Sequence, residues 1–260
     1  MEVFGEDHLL EIVDSIAHEA NPEERVEILM LGKGYAVIGR RFGVLERDIS
    51  DEEFIKRINI MRQIAREAES KGLADYIISN VPGKPAVLSF VLDFVLHCNK
   101  NFYEAVKDLR RNIRIAKAIC GKEHIIPNAK DFSYRIMLRM HPEAPFALIL
   151  YHEGIAIGTI GGYFEFGREK RFIITNIQGI KGRKKELEEF SRAVGRKWRV
   201  WLVERIAEIL KRKGYGVIGN PPASYLEHVA EQAELDRARR MYANTYKRAG
   251  FKRSGRRWRA

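Results

Sequence analysis

The 260-residue sequence predicts an α/β (α+β) fold: a mixed, mostly antiparallel sheet flanked by helices, preceded by a mainly helical N-terminal region. Three observations carry that expectation. Apolar residues in the first 125 positions recur mostly at helical spacing. After Pro127, four strand-like runs (132–140, 146–152, 155–166 and 171–178) follow one another across short connections, as in an antiparallel meander. Helical patterns then alternate with a short buried strand, which makes the sheet mixed. The chain accordingly divides into a helical region, 1–125, and a sheet-bearing domain, 126–260.

Along the chain, Val26–Leu31 and Tyr35–Gly39 flank Gly32-Lys33-Gly34 and read as two strands joined by a glycine turn. The Gly-Lys-Gly triplet lacks the longer glycine spacing and terminal Lys-Ser/Thr of a phosphate loop. Ser50-Asp-Glu-Glu53 forms a capping box and opens a helix to about Ser70, with Phe54, Ile58, Met61 and Ile64 on one face. Residues 86–98 and 102–119 read as two more helices, the second striped by Val106, Leu109, Ile113 and Ala116 and stopped near Gly121. After the four strands, helices are expected at 184–194 and 198–213. A short buried strand follows at Tyr215–Gly219, then a long helix at 225–248 and a basic terminal strand after Gly250-Phe251.

Composition excludes several classes. With 45% hydrophobic residues the chain holds ample material for a core. Cys98 and Cys120 supply neither a disulfide framework nor a Cys-x-x-Cys pair, so no metal is expected and a reducing cytoplasm is the expected setting. The longest apolar stretch, Pro85–Leu96, is broken by Ser89 and Asp93 and falls short of the roughly 20 residues that span a bilayer. The segment from Met1 to Asp7 lacks the basic and apolar regions of a signal peptide. His97-Cys98 has no second ligand pair, no Gly-x-Ser-x-Gly elbow occurs, and Glu186, Glu188 and Glu189 read as one solvated helix face.

Charge is the strongest compositional signal. The chain carries 46 Lys+Arg against 35 Asp+Glu, a net +11. Residues 168–260 hold 25 of the basic and 10 of the acidic residues, whereas residues 1–167 hold 21 and 25. The excess therefore sits in the C-terminal third, and it points to an anionic partner: a phosphate-bearing cofactor, nucleic acid or a membrane surface. The simpler reading is a solvated basic face.

The order strand, helix, Lys213-Gly214-Tyr215, strand, followed by a helix ending Met241-Tyr-Ala-Asn-Thr-Tyr-Lys-Arg-Ala-Gly-Phe251, resembles the GNAT superfamily of acyl-CoA-dependent N-acyltransferases. Tyr246, two further residues and Ala249-Gly250-Phe251 carry the likeness at the chain's close. The pattern of Gln178-Gly179, a helical segment at 184–213, the strand Tyr215–Gly219 and His228 is similar to the VirK/YbjX-like family. Together these cover roughly residues 130–255. The resemblance implies acetyl-CoA or another acyl-CoA as donor and an amine as acceptor. It also implies that two neighbouring strands splay near Asn176 and Ile218, leaving amides for the pantetheine arm. The pyrophosphate would then sit at a helix N-terminus, where unpaired N–H groups and the helix dipole favour anions.

The superfamily's phosphate loop runs Gln or Arg, two residues, Gly, one residue, then Gly or Ala. Here Gln178 and Gly179 are followed by Lys181, with Gly182 one place late and Arg183 in the last small slot. The second match, Arg192 to Lys197, keeps Gly195 but places Lys197 in that slot after Arg196. Lys181, Arg183, Arg196, Lys197 and Arg199 are then the side chains expected to hold an anion. By resemblance Tyr246 is the general acid that protonates the departing thiolate, against the alternative that it packs the last helix on the sheet. Glu165, His152 and His228 are candidate bases, His228 the first among them.

A non-catalytic nucleic-acid-binding or regulatory protein on the same fold is the competing reading. Its warrant is the tail Lys252, Arg253, Arg256, Arg257, Trp258 and Arg259, with arginines for RNA or DNA phosphates and Trp258 for base stacking. A joint reading has the basic surface recruit an anionic substrate, such as tRNA or a phospholipid head group, to an acyltransferase cleft. No strong amphipathic anchor supports a membrane role.

Overall fold

Apolar residues three and four apart organise the N-terminal part into α1 (Glu6–Glu19), α2 (Pro22–Arg41), α3 (Asp51–Glu69), α4 (Lys84–His97) and α5 (Phe102–Ile119), with a 3-10 turn at Leu73–Tyr76 and the short strand β1 (Ile77–Ile78). The structure is a computed structural model and describes residues 6–41, 45–46, 48–78, 83–97, 101–139, 144–166, 169–220, 232–255 and 257–260. It falls into two units, Met1–Ala118 with Arg139–Pro142, and Ile119–Leu138 with Glu143–Ala260.

The expected hairpin at 26–39 is instead the interior of α2. Its buried positions Glu27, Ile28, Leu31, Gly32, Tyr35, Ala36 and Gly39 recur at helical spacing. The glycines serve close approach rather than a turn. A Cβ at Gly32 would stand 2.7 Å from Val13 of α1, and one at Gly34 would stand 2.4 Å from Leu92 of α4. Tyr35 anchors this unit: its fully buried ring stacks on Phe54 at 6.0 Å and meets Phe102 at 5.9 Å.

Half of the capping box forms. The Ser50 hydroxyl accepts from the Glu53 amide at 3.2 Å, while the Glu53 carboxylate turns to Arg57 (2.8 Å) and the Tyr103 hydroxyl (2.9 Å). A charge-assisted bond to a partly buried guanidinium is the stronger choice for that carboxylate.

The second unit is a mixed, mostly antiparallel sheet flanked by helices. Its elements are β2 (His124–Ile126), β3 (Ala129–Arg139), β4 (Phe146–His152), β5 (Ile155–Phe166), β6 (Lys170–Gly179), α6 (Lys184–Ala193), α7 (Trp198–Arg212), β7 (Gly216–Gly219), α8 (Gln232–Arg248), β8 (Lys252–Ser254) and β9 (Arg257–Arg259). β3 to β6 form the expected meander, with β2 on the first half of β3. β7 then pairs parallel to β6, as a crossover through α6 and α7 requires. The terminal strand is a hairpin, and its second strand is the one beside β7, giving the order β3-β4-β5-β6-β7-β9-β8.

α6 and α7 cover one face through an aromatic cluster. Phe190 meets Phe132 at 5.2 Å and Trp201 at 5.1 Å, and Trp201 meets Tyr134 at 5.7 Å. Gly158 and Gly179 stand opposite each other on β5 and β6. A Cβ on either would come within 3.2 Å of Leu187, with the Trp198 ring 3.5 Å away. These two glycines let the first turn of α7 settle directly on the sheet.

Candidate functional site

β6 and β7 stay paired for four residues, from Arg171 opposite Gly216 to Ile174 opposite Gly219. The Asn220 amide closes this ladder by donating to the Ile174 carbonyl at 3.0 Å. β6 runs on to Gly179 along β5, and the two strands part. A β-bulge sets the place: Gly161 pairs with Asn176 but Gly162 pairs with Ile174, so Thr175 is the extra residue. One inserted residue reverses which positions face each edge and bends the strand. Ile174 therefore faces β7 before the bulge, and Ile177 faces the same edge after it. The Ile177 N–H donates there to the hydroxyl of Tyr242 on α8, at 2.8 Å.

Polar atoms without partners gather at this point. Asn176 is 8% exposed, and among the described residues its Oδ1 has no hydrogen-bond partner; the Oδ1 of half-buried Asn220 has none there either. Buried acceptors of this kind are costly unless something donates to them. Arg199, in the first turn of α7, stacks on Trp198 at 4.4 Å, and its buried Nε has no hydrogen-bond partner among the described residues. Burial pulls its guanidinium below the ordinary arginine value, opposed only by the Tyr242 phenol within electrostatic reach. Among the described residues no carboxylate comes within ion-pair distance of it. A half-desolvated cation without a counter-charge suits a ligand that brings one.

Tyr246 lies one turn beyond Tyr242 on α8, their rings 6.1 Å apart. It is fully buried, and its hydroxyl donates to the Asn220 carbonyl at 2.9 Å. Burial, and then Tyr242 beside it, pushes its phenol well above the ordinary value, so it stays protonated. Its ring lies so close to Gly219 that a Cβ there would sit 2.6 Å away.

The other sequence candidates are distributed around this cleft. Gln178 is exposed, and Gly179 has its open side filled by Leu187 and Trp198. Lys181 and Gly182, the latter at φ 83°, form the exposed turn into α6. Arg183 opens α6 and pairs with Glu186 at 2.8 Å. That pair lines a cavity of about 240 Å³ with His152, whose ring stacks on Phe132 at 4.4 Å. Gly195 (φ 67°), Arg196 and Lys197 form the turn into α7, where Arg196 pairs with Glu204. The Trp198 amide at that helix start is already taken by the Ser191 hydroxyl at 3.1 Å.

Glu165 is not brought to Tyr246. It lies 4.0 Å from Arg171, at the end of β6 where the strands are still paired. In the tail, Lys252, Arg253, Arg257 and Arg259 are exposed, while the Trp258 ring lies 6.4 Å from Tyr246. His228, Arg256 and Cys98 lie outside the described residues. Cys120 is buried, which pushes its thiol up to about 12 and leaves it inert. Among the described residues no group of three or more His, Cys, Asp or Glu side chains could hold a metal, and no helix is long and apolar enough to cross a membrane.

Comparison with known protein families, with characterised proteins and with solved structures returns no match to this chain. The site therefore rests on its own geometry. Tyr242 and Asn220 are the members that sequence reasoning passed over. The spacing of Tyr242 and Tyr246, four apart and so on one helix face, was the available signal for the first. Nothing local to Asn220 distinguishes it from the cap of a turn.

Proposed function

We propose that the chain is an acyl-CoA-dependent N-acyltransferase of GNAT type, working where β6 and β7 part. The observation that carries this reading is the buried edge of β6 beyond the Thr175 bulge, with its Ile177 amide and the unpaired Asn176 and Asn220 oxygens. An extended arm bearing both amide N–H groups and carbonyls satisfies such an edge, and pantetheine is one.

In this reading the acyl-CoA supplies a thioester carbonyl open to attack by an amine. The Ile177 amide turns from the Tyr242 hydroxyl to the ligand and orients it. Tyr246, whose hydroxyl donates to the Asn220 carbonyl in the free chain, turns to the ligand. It gives its proton to the thiolate set free when the C–S bond breaks and the new C–N bond forms, a transfer that the raised phenol pKa works against. Register sets Glu165, opposite Arg171 at the far end of the β6–β7 ladder, apart from Tyr246, and His228, the first of the sequence candidates, is proposed as the base. Lys181, Arg183, Arg196, Lys197 and Arg199 neutralise the phosphates through side chains rather than through a glycine loop.

Acetyl-CoA or a longer acyl-CoA at about 100 times its Kd is expected to stabilise the full chain by about 2.7 kcal/mol, a rise in Tm of roughly 5–10 °C by thermal melting. Thiol release with an amine panel then reads turnover. No shift with any CoA thioester at millimolar concentration contradicts the proposal.

A further inference from the structure

The acyltransferase reading uses the cations at the two helix starts and leaves the terminal hairpin unexplained. Register sorts that hairpin into two faces. Lys252 stands opposite Arg259 and Ser254 opposite Arg257, while Arg253 and Trp258 form the pair between them. Successive strand residues alternate sides, so Lys252, Arg257 and Arg259 share one face and Trp258 points to the other, toward Tyr246. All three cations on the first face are exposed.

Among the described residues none of them has a carboxylate within ion-pair distance. In the N-terminal unit Lys33, Lys56, Arg57, Arg62, Arg66 and Lys84 each pair with a carboxylate. Among the described residues, Lys247, Arg248, Lys252, Arg253, Arg257 and Arg259 have no carboxylate within ion-pair distance. Glu169 feels Arg259 electrostatically but is itself held by Arg171 at 2.6 Å. Lys252 directly opposite Arg259 is a like-charge cross-strand pair, which weakens a hairpin. A surface that keeps such a pair with no compensating acid is complementary to a polyanion.

The polyanion can be specified. Arg257 and Arg259 are two residues apart on one strand, hence roughly 7 Å, comparable to the spacing of successive phosphates along an extended strand. Anchoring in a membrane needs apolar side chains beside the charge. Among the described residues the large exposed apolar ones are Val26, Val37, Ile78, Tyr103, Ile125, Ile155 and Ile180, and none lies on α8 or the hairpin. Trp258 faces inward, so base stacking is not its role.

We propose that the β8–β9 hairpin docks the phosphodiester backbone of a nucleic acid through Lys252, Arg257 and Arg259. Binding is independent of base sequence and of acyl-CoA, because only backbone charge meets this face.

The test is fluorescence anisotropy on the full chain without CoA, with labelled single-stranded RNA, single-stranded DNA and duplex DNA as separate probes across a salt series. At least one probe is expected to bind with log K falling linearly in log salt. The K252A/R257A/R259A variant is expected to weaken binding at least tenfold at low salt and to flatten the slope by about 2, from three lost phosphate contacts on a single strand. The charge-matched control K71A/K107A/K117A, exposed positions of the N-terminal unit, should retain the full slope. Thermal melts of both variants guard against misfolding. The probe that binds tightest names the source of the backbone. Equal losses in variant and control, no binding to any probe, or binding only to phosphatidylserine-containing vesicles overturns the proposal. Failure of acyl transfer leaves it standing, since no CoA is present.

Discussion

Replacing Gly162 by alanine is expected to lower stability by about 3 kcal/mol and to remove any ligand binding where β6 and β7 part. A Cβ at Gly162 would sit 1.9 Å from the Ile173 carbonyl oxygen and 2.8 Å from its carbon. Both are backbone atoms of the neighbouring strand, and no rotamer change relieves the clash. The sheet must open between β5 and β6 next to the residue that starts the bulge. Loss of the bulge restores the simple alternation of β6 and turns Ile177 away from the open edge. Gly216→Ala is the comparison, because its nearest neighbours would be 3.8 Å away in ordinary contact. Urea unfolding should show Gly216→Ala within about 1 kcal/mol of the natural protein. Equal behaviour of the two alanines would remove the bulge from the account.

Glu27→Leu is expected to cost the N-terminal unit about 3 kcal/mol, at the lower end for breaking a buried ion pair. Glu27 is 0% exposed, yet it accepts from Arg62 (3.1 Å), Arg66 (3.0 Å) and Lys84 (2.8 Å). Leucine leaves three cations without their central acceptor. Glu24 still holds Arg62 and Arg66, and Glu23 still holds Lys84, which keeps the loss near the lower bound.

The same carboxylate sets a pH dependence. Burial alone raises the Glu27 pKa, but hydrogen bonds from Arg66, Lys84 and Arg62 outweigh it and hold the group below its ordinary 4.5. The unfolded chain therefore binds the proton more readily. The stabilisation is complete above about pH 4.5 and is lost as pH falls through the lower folded value. Acid melts should show Glu27→Leu less sensitive to pH in that window than the natural protein. An unchanged acid profile would mean that other carboxylates govern it, such as Glu46 and Glu53, which Arg57 also lowers.

Much of the fold is legible in the sequence because its signals are local. The runs at 146–152 and 155–166 match β4 and β5 at both ends, and Ser50 does cap α3. The Gly-Lys-Gly triplet misleads because a glycine demanded by helix–helix approach looks the same as one demanded by a turn. Only Val13, Ile58 and Leu92, distant in sequence, tell them apart. Parts of the candidate site also stand out in the chain. Tyr246 and the region of Asn176 can be singled out from the chain, and Arg199 from its charge. The bulge at Thr175 is not, because it depends on how closely Gly162 meets Ile173. The bond between Tyr242 and Ile177 spans 65 residues and leaves no local trace.

The central claim is that the β6 edge beyond the bulge receives an acyl-CoA, and the Ile177 amide reports on it most directly. In a ¹⁵N-labelled full chain titrated with acetyl-CoA, the Ile177 resonance is expected to shift and saturate as its hydrogen bond passes from Tyr242 to the ligand. Gly179 should move with it, while amides of the N-terminal unit stay in place. An unmoved Ile177 at saturating acetyl-CoA, or shifts confined to other parts of the chain, would contradict the account.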